Sequence, residues 1–80
     1  MEDREIITRI SALADEERDL EEHHAGGTLS EADQARLAAL EVTLDQLWDL
    51  LRQRRALRDA GKSPDQAAER GPETVERYLQ

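Results

Sequence analysis

Five leucines, Leu37, Leu40, Leu44, Leu47 and Leu51, recur at alternating spacings of three and four within the uninterrupted stretch from Ser30 to Ala60. That rhythm puts all five on one stripe of a helix, the apolar seam of a coiled-coil-like element. A seam of this length needs a second apolar stripe to cover it, and the chain ahead of Ser30 supplies one. Ile6, Ile10, Leu13 and Leu20 fall on one face of a helix read over residues 3–24, with Asp3 as N-cap and Glu5 in its first turn. Glu17 stands in the middle of that stripe.

Residues 25–29, Ala-Gly-Gly-Thr-Leu, form the connecting loop, and Ser30 with Asp33 opens the second helix, read over 30–60. A connection this short makes the two helices antiparallel neighbours. Setting Leu20 opposite Leu37 fixes the register, since facing residue numbers then sum to 57. Leu13 meets Leu44, Ile10 meets Leu47, Ile6 meets Leu51, Glu17 meets Leu40, and Asp3 falls beside Arg54 as an ion pair. The fold class is therefore all-α: an antiparallel two-helix hairpin over residues 1–60, followed by a short helical extension over 61–80.

In the extension, Gly61 ends the second helix, and Ser63-Pro64-Asp65-Gln66 opens a short helix running to about Arg70. Gly71-Pro72 breaks it, and Val75, Tyr78 and Leu79 then make one small apolar face, which either folds back onto the Leu50/Leu57 edge or docks on another protein. Ile7, Ala14 and Trp48 lie together along one edge of the hairpin, beside the seam but outside it, and Leu50 and Leu57 lie along the other. Two helices cannot cover all of these. The expectation is a homodimer, a four-helix bundle with Trp48 near its interface.

Composition excludes more than it suggests. The net charge is −8, and nine acidic residues face three basic ones in residues 1–30. A phosphate backbone would be repelled by most of such a surface, so nucleic acid is disfavoured as a partner. Cysteine is absent, which removes disulfides, thiolate chemistry and cysteine-based zinc sites. No apolar run approaches the ~18 residues of a membrane span, and the acidic start is unlike a secretory signal, so the expected setting is cytoplasmic.

The acidic lead into Ile6-Ile7-Thr8-Arg9-Ile10, the restart Leu29-Ser30-Glu31 and the ending Glu76-Arg77-Tyr78-Leu79-Gln80 accompany a more specific run. That run is Leu44-Asp45-Gln46-Leu47-Trp48-Asp49-Leu50-Leu51-Arg52-Gln53-Arg54-Arg55-Ala56. Together they resemble a family of short bacterial proteins of unknown function, over nearly the whole chain. The resemblance implies a stand-alone small protein and carries no catalytic or ligand residues with it.

Three clusters offer chemistry. Glu21, His23 and His24 include one Glu-x-x-His spacing, the kind used in di-metal bundles, but those sites need further glutamates and a second copy. Histidines at a helix end also complement its exposed carbonyls, and that reading is preferred. Glu17 is either a specificity contact reached by Arg36 or Arg18, or an edge carboxylate escaping to water, the latter favoured. Arg52, Arg54, Arg55 and Arg58 could grip phosphates or an acidic partner, or face Glu2, Asp3 and Glu5 across the hairpin; no aromatic residues interleave to stack bases.

No phosphate loop, nucleophile elbow or Ser/His/Asp spacing is present, so an enzyme is not expected. The reading is a non-catalytic interaction or regulatory module without a cofactor, which contacts an unidentified protein partner through its helical surface and tail. A metal- or small-ligand-binding bundle built on Glu21, His23 and His24 is the alternative.

Overall fold

Ser30 sets where the long helix begins. It sits in extended conformation (φ −63°, ψ 160°), and its Oγ accepts the Asp33 backbone N–H at 3.1 Å. One of the four orphan donors of the first turn is thereby satisfied. The computed structural model describes residues 1–23, 27 and 29–79, the side chains of 76–79 excepted. Its elements are α1 (Asp3–His23), α2 (Glu31–Asp59), a 3₁₀ turn (Pro64–Gln66) and α3 (Pro72–Leu79), with no strand among the described residues. Much of the residue 25–28 connection lies outside them.

At 1.5 Å per residue α2 is about 44 Å long, which accounts for most of the 50 Å long dimension of the molecule. It ends in a Schellman motif: Lys62 N–H donates to the Leu57 carbonyl at 2.8 Å and Gly61 N–H to the Arg58 carbonyl at 3.0 Å. Gly61 takes φ +74°, which only glycine adopts freely.

Toward the open end of the hairpin the expected register holds. Ile6, Ile10, Leu44, Leu47 and Leu50 form one buried cluster, with Leu13, Leu51 and Ala67 packed against it. Asp3 accepts from Arg54 Nε and, at 2.8 Å, from Arg58 Nη2. Leu37 and Leu20, nearest the loop, are only half-buried.

After Gly61 the chain turns back along α2. The 3₁₀ turn, with Ser63 Oγ accepting Asp65 N–H at 3.2 Å, stops at Gln66, short of the expected helix to Arg70. Residues 67–71 belong to no helix or strand, and α2 side chains bond several of their backbone groups. Gln53 donates to the Ala68 carbonyl at 2.7 Å and accepts its N–H at 3.4 Å, while Gln46 donates to the Arg70 carbonyl at 3.3 Å. Beyond them α3 packs on α2 with Val75 buried, so the extension folds back onto its own chain.

Candidate interaction surface

Different faces of α2 have different surroundings. Its leucine seam faces α1. The stripe Gln46, Asp49 and Gln53 faces the returning segment. Asp49 is fully buried there, its carboxylate held by the Arg70 fork (Nε at 2.8 Å, Nη2 at 2.5 Å) and by Gln53 Nε2 at 3.0 Å. The Arg70 hydrogen bonds, then Gln53, hold the Asp49 carboxyl below its ordinary range against the opposing effect of burial. The sequence alone does not mark this pair, because an acid on the far side of an amphipathic helix reads as solvated.

A third stripe, Glu41, Asp45, Trp48, Arg52 and Arg55, is exposed except at Asp45, which is half-buried. Steps of four, three, four and three residues keep these side chains within about 80° of arc. Trp48 is 49% exposed, and Asp3, Leu51, Arg52, Arg55 and Arg58 line a cleft with it. Ile7, 52% exposed, is one turn on from Asp3 along α1 and so extends the same surface. Exposed large hydrophobic side chains on a rigid helix are the atypical feature of this molecule.

The other candidate interaction residues are placed differently. Leu50 and Val75 are buried within the chain, and Ala14 and Leu57 are half-buried. The side chains of Tyr78 and Leu79 lie outside the described residues.

Charge along the open stripe is divided. At its N-terminal end Glu17 is half-buried, and its carboxyl is raised above its ordinary range by burial first and then by Glu21, Glu41 and Asp45. The expected reach of Arg36 goes elsewhere: its fork closes on Glu16, and Arg18 pairs with Asp15 at 2.8 Å. Glu16 lies one residue further round α1, toward the edge carrying Arg36, so Arg36 meets it before Glu17. At the other end Arg54 is committed to Asp3, Asp65 and the Pro64 carbonyl, and Arg58 to Asp3. Arg52 stands 3.9 Å from an Asp49 oxygen that Arg70 already occupies.

Elsewhere the polar groups serve the backbone. Thr8 and Thr43 hydroxyls donate to the Arg4 and Ala39 carbonyls one turn back. His23 Nδ1 lies 2.8 Å from the Asp19 carbonyl and Glu21 is exposed, while His24 lies outside the described residues. Among the described residues no three His, Asp or Glu side chains are grouped to hold a metal ion, and no helix is long and apolar enough to cross a membrane. A second groove on another side of the hairpin is lined by Ala12, Leu13 and Leu47, with Arg9 and Thr43 as its polar members.

Uncharacterised proteins of Mycobacterium bovis and of two Mycobacterium tuberculosis strains are 44% identical over 77 residues, covering 95% of this chain and 88% of theirs. No solved structure matches. Residues 2–80 match a described family, and the chain belongs to it: the family of proteins of unknown function designated DUF2630.

Proposed function

We propose that this protein is a non-catalytic interaction module, working in the cytoplasm through the Trp48 face of its hairpin. The observation that carries this reading is the half-exposed Trp48 and Ile7 on well-anchored helices beside a row of arginines. Aromatic and arginine side chains together are the composition of protein-contact centres. The C-terminal helix enters as a second contact element through Tyr78 and Leu79, with Val75 fixing it to α2.

A photoreactive amino acid placed at Ile7 or Arg52 in living cells tests this. Discrete protein adducts are expected from those two positions and not from exposed Glu31 on the far end of α2. Absence of any adduct, with self or with another protein, would refute the reading.

A further inference from the structure

The open stripe of α2 is ordered acid, tryptophan, base. Glu41 and Arg55 each lie seven residues from Trp48, about 10 Å along the axis in opposite directions, with Asp45 and Arg52 between. A basic partner would suit one half and clash with the other, and an acidic partner the reverse. The occupant that fits both halves carries the same order reversed. This chain, turned about a two-fold axis through Trp48, is such a surface.

We propose that the occupant of the Trp48 face is a second copy of this chain, packed α2 against α2 in antiparallel register. Trp48 meets the partner's Trp48, and Arg55 and Arg52 meet Glu41 and Asp45 across the interface. This inference rests on the interaction reading and gives it a partner. Three observations support it. The acidic end has no described cation for Glu17, Glu41 or Asp45, so like charges accumulate there and add to the effect of burial on the Glu17 carboxyl. The basic end has Arg52 only loosely engaged. Furthermore, an 80-residue chain without cysteine gains most from burying its remaining apolar surface in an oligomer. The net charge of −8 opposes self-association at long range, but at 0.15 M salt that repulsion is screened beyond about 8 Å, while contact pairs are not.

Light scattering across a concentration series at 0.15 M salt tests the pairing on the full chain. The wild-type is expected to reach twice its 9.1 kDa mass, with Trp48 emission moving to shorter wavelength as the dimer forms. Glu41→Arg alone and Arg55→Glu alone each put like charges together at two symmetric contacts and should weaken the dimer about tenfold or more. Mixing the two variants restores opposite signs at both contacts and should recover the dimer, as should the double variant Glu41→Arg/Arg55→Glu. Both positions are exposed, and circular dichroism verifies that each variant keeps its helices.

A wild-type that stays monomeric, single variants that dimerise unchanged, or a mixture that fails to recover would each overturn the proposal. A monomeric wild-type whose Ile7 and Arg52 positions still crosslink to another protein would overturn the dimer alone and leave the interaction reading standing.

Discussion

Truncating Arg70 to alanine probes the polar clamp between α2 and the returning segment. The substitution removes both fork donors from Asp49, a carboxylate with no exposed surface, and leaves it Gln53 at 3.0 Å and Arg52 at 3.9 Å. Hydrogen bonds to a charged group contribute about 1.5–3 kcal/mol each. The full penalty does not apply, because Arg70 is itself 39% exposed and its removal admits water to the carboxylate. About 2 kcal/mol is the expected net loss, which for a domain of this size lowers Tm by roughly 8–16 °C.

The pH dependence has a definite sign. Asp49 titrates lower folded than unfolded, where its value is about 3.9, so its stabilisation is complete above that value and disappears as pH falls through the folded value. The gap between wild-type and Arg70→Ala should therefore be wide at pH 7 and narrow only as the pH is taken below the unfolded value of about 3.9. Thermal melts by circular dichroism on both sides of that value give the magnitude. Limited proteolysis across residues 60–71 shows whether the tail detaches first. A melting point within about 2 °C of wild-type, together with unchanged proteolysis at pH 7, would refute the clamp.

Glu17→Leu removes a half-buried carboxyl that has only like charges around it, and should raise Tm by a few degrees when measured on dilute, monomeric protein; a fall would count against that account. Leu40→Ala, at a residue 1% exposed, should cost about 2–5 kcal/mol in urea unfolding, and a cost near zero would mean the seam is not packed there. Gly61→Ala meets no steric obstacle but must hold φ +74°, so a loss of about 1 kcal/mol is expected from backbone conformation alone, and no change would remove the left-handed cap from the account.

The hairpin was legible because its determinants are local and periodic. Leucine spacing, a two-glycine break and a Ser30 cap each admit few alternatives, and together they place Asp3 against Arg54, 51 residues apart, at the open end of the hairpin. The returning segment was not legible beyond its turn. Gln46, Asp49 and Gln53 look like any solvated stripe until the segment that uses them is in place. What the two glutamines bind is backbone, which has no side-chain signature in the sequence. Glu16 taking Arg36 from Glu17 is a matter of one step around a helix, finer than a stripe-level register resolves.

Arg54 has a consequence for cooperativity. Its guanidinium is nearly sealed from water and reaches the start of α1 through Asp3 and the turn after α2 through Pro64 and Asp65. These segments are 51 and about 10 residues away along the chain, yet they share one planar group with fixed donor directions. Whichever docks first orients the group for the other, so the second docking loses less side-chain freedom than it would alone. The start of α1 and the turn after α2 are thereby coupled through one side chain. A lysine, with a single flexible ammonium, would tie either end but would not transmit the order of one to the other.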